Sequence, residues 1–98
     1  MSLPVVVSPQ AEAAVTAAEA WYESKRPGVG VTFRERVEEA LDDIAAQPGR
    51  FTPGIRNTRI AKVRGYQYLI IFRENLDHIL VVAVVHSRSG TSYWLTPP

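Results

Sequence analysis

The chain has 98 residues, 46% of them hydrophobic and 21% charged, and contains no cysteine. It is long enough for one domain with one core; disulfide frameworks, thiolate metal sites and cysteine nucleophiles are excluded, and the longest apolar run, Ile79 to Val85, is too short for a membrane span. The net charge of +1 hides a division: residues 1–49 carry four Lys and Arg against eight acids, a net −4, and residues 50–98 carry seven against two, a net +5. A basic C-terminal half suits an acidic partner, protein or nucleic acid, or simply a solvated strand edge.

The opening MSLPVVVSPQ lacks the basic region and long apolar run of a signal peptide, so a cytoplasmic location is expected and Leu3 to Val7 reads as a strand. Ser8 is placed to cap a helix, and Pro9 fits its first position, where an N–H would have no partner. Ala11, Ala14, Val15, Ala18, Trp21 and Tyr22 then fall at helical spacing, with Glu12, Glu19 and Glu23 turned away, which carries the helix to about Lys25. Its stripe is mostly alanine, so another element can approach closely, with Trp21 as one large anchor. Arg26-Pro27-Gly28 breaks it. A second helix begins near Gly30, with Phe33, Val37, Ala40, Leu41 and Ile44 on one face and Glu35, Glu38, Glu39, Asp42 and Asp43 on the solvated one. Pro48-Gly49 ends that helix, and Arg50 to Asn57 reads as a loop.

The remainder is strand-forming. Thr58 to Arg64 is a strand and Gly65 a turn or bulge; Tyr66 to Arg73 and His78 to His86 form a hairpin around Glu74-Asn75-Leu76-Asp77. Alternation places Tyr66, Tyr68, Ile70 and Phe72 on one face and Leu69 and Ile71 on the other, while Leu80, Val82 and Val84 oppose Ile79, Val81, Ala83 and Val85. Both faces are apolar. The order β-α-α-β-β-β predicts an α+β fold, a single domain over residues 1–98, in which a two-helix hairpin packs on a small, mainly antiparallel sheet. Two helices cover one face, so the other needs a further cover.

Few constellations carry chemistry. Ser87 and His86 are strand neighbours that point to opposite faces, with no nearby Asp to complete a triad. His78 and His86 stand about 27 Å apart along one strand, too far to share a metal. Gly28-Val29-Gly30 follows a helix rather than a strand, unlike a phosphate loop. No metal or cofactor is expected. What remains is the basic set Arg56, Arg59, Lys62, Arg64, Arg73 and Arg88, with His86, Tyr93 and Trp94 at the end of the chain. Such residues can serve as base, acid and cations in RNA cleavage by its own 2′-OH, and equally as anchors of a protein interface; residue types leave both open.

Four stretches carry a resemblance to a known family: V-V-S-P-Q-A-E at Val6 to Glu12, A-A-Q-P-G-R at Ala45 to Arg50, V-R-G-Y-Q-Y-L-I-I-F-R at Val63 to Arg73, and V-V-H-S-R at Val84 to Arg88. In this order and at this length the chain resembles the ParE/RelE superfamily, the toxins of type II toxin–antitoxin modules. The resemblance implies the fold order derived above and divides the expected activities. RelE-like members cleave mRNA on the ribosome with basic residues on the central strands and a terminal tyrosine; ParE-like members poison DNA gyrase. Lys62, Arg64 and Arg88 match basic positions of the nuclease pattern, and Tyr93 or Trp94 falls where its terminal aromatic lies. However, Leu69 stands where that pattern has an arginine and Ile60 where it has a lysine, and losing a cation that faces a phosphorane costs a few kcal/mol of transition-state stabilisation.

The resemblance therefore implies a ParE-like toxin, of the kind associated with growth arrest and plasmid stabilisation, that inhibits gyrase by binding. Arg64, Arg73, His86, Arg88, Tyr93 and Trp94 are the expected target-binding residues. The alternative is a ribosome-dependent endoribonuclease using Lys62, Arg64, Arg88 and Tyr93. A cognate, ParD-like antitoxin is the expected partner, with Trp21, Tyr66, Tyr68, Ile70 and Phe72 as its candidate contacts, in a homodimer or a toxin–antitoxin hetero-oligomer away from any membrane. The uncovered sheet face is expected to receive an antitoxin segment, a second copy or the C-terminal tail.

Overall fold

A computed structural model describes residues 3–88. Strand β1 (Val5–Val7) leads into helices α1 (Pro9–Lys25) and α2 (Val29–Ala46); a 3-10 turn at Pro48–Arg50 follows, then β2 (Thr52–Pro53), β3 (Thr58–Lys62), β4 (Tyr68–Glu74) and β5 (Ile79–His86). The five strands form one sheet in the order β1-β5-β4-β3-β2, with β1 parallel to β5 and every other pair antiparallel. The two-helix hairpin lies on one face, as the element order predicted. The loop expected over residues 50–57 contains β2, a two-residue edge that pairs with Arg59 and Ile60. Strand β4 begins at Tyr68 rather than Tyr66. Gly65, at φ +85°, turns the chain, and the Tyr66 N–H donates to the Val63 carbonyl within that turn.

The first helix starts as its sequence dictates. The Ser8 side chain accepts from the Ala11 N–H at 3.1 Å, while the Ser8 N–H donates to the Val81 carbonyl and so fastens the helix start to the sheet. The second helix has no capping side chain of its own, because Gly28 holds that position at φ +91°. Glu23 of α1 supplies the missing acceptor: its carboxylate takes the Gly28 N–H at 2.8 Å and the Gly30 N–H at 2.9 Å. The Gly28 hydrogen bond is the main reason that the Glu23 carboxyl is held below its usual range. At the same crossing, a Cβ on Gly30 would press into the Glu19 carbonyl oxygen and the Glu23 side chain. Arg34 of α2 completes the link by pairing with Glu12 at 3.0 Å and Glu19 at 2.9 Å on α1.

Ala11, Val15 and Ala18 of α1 and Phe33, Val37 and Ile44 of α2 meet Ala61, Val63, Ile70, Phe72, Ile79, Val81 and Val84 in a single core. Strict alternation put Val84 with Leu80 and Val82, and the structure corrects this. Ile71 pairs with Ala83 but Phe72 pairs with Val81, so Val82 is an extra residue in the ladder. That bulge reverses the parity of β5 and turns Ile79, Val81 and Val84 alike towards the helices. On the opposite face Ile60, Ile71 and Ala83 form one row and Lys62, Leu69 and Val85 the next. Ile60 and Ile71 are buried there and Leu69, Ala83 and Val85 half-buried, so this face is less bare than the alternation implied.

Gly30→Ala is expected to cost about 1–3 kcal/mol in urea unfolding, the usual cost of forcing atoms into a filled contact. A carboxyl with a depressed folded-state pKa stabilises the fold above its ordinary pKa, and that contribution fades as pH falls through the depressed value. The Tm advantage of wild type over Glu23→Gln is therefore expected at neutral pH and should close on acidification, read by thermal melts across pH.

Candidate functional site

The ends of β3, β4 and β5 converge where Tyr68 pairs with His86 and Lys62 with Leu69. On the helix side of this junction lies a groove of about 640 Å³, lined by Ala17, Ala18, Trp21 and Tyr22 of α1, the turn from Gly65 to Gln67, Tyr68 and His86. Tyr22 is its hub. Its ring stands edge-on to Trp21 at 5.1 Å, to Tyr66 at 4.9 Å and to Tyr68 at 6.2 Å, and leans on buried Phe33 at 5.2 Å. Burial, reinforced by the Tyr68 and Tyr66 hydroxyls, pushes the Tyr22 phenol up, so it stays neutral. The Tyr66 hydroxyl donates to the Val29 carbonyl at 3.0 Å and locks the turn to the start of α2. His86 packs edge-on to Tyr68 at 5.2 Å, and its Nδ1 accepts from the Arg88 N–H at 3.1 Å, which leaves the proton of a neutral ring on Nε2.

On the opposite face Arg50, Phe51, Thr52, Ile60, Lys62 and Leu69 line a shallower groove of about 350 Å³. Ile60 and Leu69, the two departures from the nuclease pattern, thus flank Lys62 in a single depression. A cation at either position would have stood beside Lys62; two apolar side chains stand there instead.

The remaining cations do not form one site. Arg64, with its side chain 76% exposed, reaches α2 and pairs with Glu39 at 3.1 Å, and Glu39 pairs in turn with Arg36 at 2.6 Å. Arg73 lies five residues along β4 from Tyr68, about 17 Å away. Its Nε and Nη2 donate to the Arg56 carbonyl at 3.2 and 3.1 Å and clasp a loop in which Arg56 and Asn57 have positive φ. Arg59 likewise donates to the Phe51 carbonyl at 2.8 Å. The structure therefore gathers His86 and Arg88 at the aromatic junction and separates Arg73 from them. Tyr93 and Trp94 lie outside the described residues.

Of the expected antitoxin contacts, Trp21, Tyr66 and Tyr68 share the aromatic groove, whereas Ile70 and Phe72 are wholly buried beneath the helices. This is a correction with a simple cause: the face of β4 that bears them is the face the helix hairpin covers. Sequence reasoning placed Tyr22 in the buried stripe of α1 and did not see it as the groove's centre. The signal was two aromatic pairs, Trp21 with Tyr22 and Tyr66 with Tyr68, at the ends of elements that had to meet. Among the described residues no group of three or more His, Asp or Glu side chains is arranged to hold a metal ion.

A two-helix hairpin on a five-stranded sheet, with an aromatic groove at one end, defines a small α+β protein. The family model described as ParE toxin of type II toxin-antitoxin system, parDE, matches residues 5–89. The chain belongs to the ParE toxin family. In fold it is similar to a chain of the chromosomal ParDE TA system from P. aeruginosa, with a TM-score of 0.77 at 15% sequence identity, covering 87% of this chain and 96% of that one. A search of curated proteins found no match.

Arg73→Ala removes two hydrogen bonds to an exposed loop carbonyl, and a loss of about 1 kcal/mol in urea unfolding is expected. Growth arrest on induction should be retained, because the residue serves its own loop and stands apart from His86 and Arg88.

Proposed function

We propose that this chain is the toxin of a type II toxin–antitoxin pair that arrests growth by binding and inhibiting DNA gyrase, and that a cognate antitoxin neutralises it. The observation that carries the choice of mechanism is the depression around Lys62, where Leu69 and Ile60 occupy the two positions at which a nuclease of the superfamily places cations. Cleavage of RNA by its 2′-OH needs positive charge against the developing phosphorane, and the apolar pair leaves this depression only Lys62 and, on the far side of Phe51 and Thr52 from it in the chain, Arg50. Arg64 is engaged by Glu39, which further weakens a cationic centre built on β3. Membership of the ParE family, rather than of the nuclease branch, points the same way. Target binding is assigned to the junction end of the sheet, with His86, Arg88 and Arg64 as its contacts on the described residues and Tyr93 and Trp94 beyond them. No helix among the described residues is long and apolar enough to cross a membrane, and a gyrase inhibitor meets its target in the cytoplasm.

The purified protein is expected to inhibit gyrase-catalysed supercoiling and to leave mRNA intact in a translating extract. Cleavage of ribosome-bound mRNA that vanishes in Arg88→Ala would overturn the gyrase reading and restore the endoribonuclease. Growth arrest should be relieved by co-expressing the adjacent short reading frame that encodes the antitoxin.

A further inference from the structure

The sheet face turned away from the helices is both apolar and basic. Across the register of β3, β4 and β5, the charged side chains on this face are Lys62 and Arg73, both cations. Arg73 serves its own loop, so Lys62 is the one left to a partner. In the depression of about 350 Å³ beside it, buried Ile60 and half-buried Leu69 form an apolar floor, which Val85 extends along the last row of the sheet. Lys62 is exposed, and the acids of α2 that share a neighbouring cleft with it are engaged by other cations: Glu39 by Arg36 and Arg64, and Asp43 by Arg50. Arg50 bounds the depression from the other side. Its guanidinium lies over the Phe51 ring at 4.6 Å and stands 3.9 Å from the Asp43 carboxylate, a loose and exposed pair that a better-placed acid can displace. Leu69 and Val85 pair next to Tyr68 and His86, so the depression opens at the same end of the sheet as the surface assigned to the target.

From this we infer that the Lys62 depression is a contact for the toxin's protein target, and that it takes an acidic segment of that target, with an apolar side chain set on Ile60 and Leu69 and carboxylates against Lys62 and Arg50. The inference deepens the gyrase-binding reading above and rests on it. Charge selects an acidic partner over a second copy of the chain, since two copies meeting here would bring Lys62 and Arg50 against their counterparts. Ring geometry selects a protein over a nucleic acid strand: the aromatic ring of the depression, Phe51, stands edge-on to buried Phe72 at 5.7 Å and is capped by Arg50, so it has little open face on which a base could stack. The two apolar residues at Ile60 and Leu69 thereby acquire a use. Where cations would face a phosphate, an apolar floor between two cations suits a protein segment that pairs at its flanks and buries a side chain at its centre.

The test uses the full-length toxin, purified gyrase and a relaxed plasmid, with the toxin concentration that halves supercoiling as the readout and thermal melts to show that each variant is folded. Leu69→Asp is expected to raise that concentration about tenfold or more. Lys62→Glu, an exposed change that leaves the core untouched, should raise it by about tenfold at low salt and by less at high salt, whereas Lys62→Arg should stay near wild type. Unchanged inhibition by folded Lys62→Glu and Leu69→Asp, while wild type inhibits, overturns the depression as a target contact and leaves the gyrase reading intact. Failure of the wild type to inhibit supercoiling overturns both. Three results overturn the choice of occupant. A fluorescent duplex DNA oligonucleotide that binds the toxin alone, and is released by Lys62→Glu, assigns the depression to nucleic acid. A toxin dimer that Leu69→Asp dissociates in sedimentation assigns it to a second copy. In a Trp21→Phe background, where Trp94 is the sole indole, a red shift of emission caused by Leu69→Asp in the free toxin assigns it to the chain's own C-terminal segment.

Discussion

The close crossing of α1 and α2 is the constraint from which the rest of this structure follows. At Gly30 the two helices are near enough that a single Cβ would collide with the Glu19 carbonyl, and at the same point Glu23 replaces the cap that Gly28 cannot provide. Packing and hydrogen bonding thus fix one angle and one depth for the hairpin. With the hairpin fixed, Phe33 and Tyr22 are set over the end of the sheet, and the Tyr66 hydroxyl closes the arrangement by bonding the first residue of α2. The aromatic groove is a consequence of that geometry, since its two walls come from elements that the crossing holds apart.

Electrostatics divides along the same lines. The acidic half of the sequence is the helix hairpin, and several of its carboxylates are used internally, on Arg34 or on exposed backbone donors. The basic half is the sheet and its connections, and its cations differ in what they meet: Arg50 and Arg64 pair with Asp43 and Glu39 of α2. Arg59 and Arg73 donate to loop carbonyls and act as local clamps. Lys62 and Arg88 have no ion pair among the described residues and remain available to a partner. Formal charge alone does not make this distinction, because an arginine that holds a left-handed loop and one that meets an acidic ligand look the same in a composition.

Much of the architecture was legible in the residues. The Ser8-Pro9 cap, the alanine stripe of α1, the i, i+4, i+7 pattern of α2 and the apolar hairpin each have a local cause, and each element formed within a few residues of its expected limits. The misses were of another kind. Alternation could not anticipate the extra residue at Val82, because a bulge is set by how the strands twist over the helices rather than by any one side chain. Ile70 and Phe72 could be read as an exposed face only while it was open which side of β4 the hairpin would cover. The site was partly legible: Trp21, Tyr66, Tyr68 and His86 were all singled out, but Tyr22, which joins them, was assigned to the core.

The sequence by itself determined the identities and local preferences that make this a ParE-family chain: the cap, the breaks at Pro27-Gly28 and Pro48-Gly49, the hydrophobic periods, and Leu69 and Ile60 in place of cations. Those are properties of a residue and its near neighbours, and they survive without a partner. Only the tertiary structure decided that Ile60 and Leu69 flank Lys62, that Arg73 serves a loop some 17 Å from Tyr68, and that four aromatic side chains from distant segments form one groove. These depend on strand register and on the side of the sheet that the helices take. Both are fixed by the core as a whole, through the burial that satisfies every element at once.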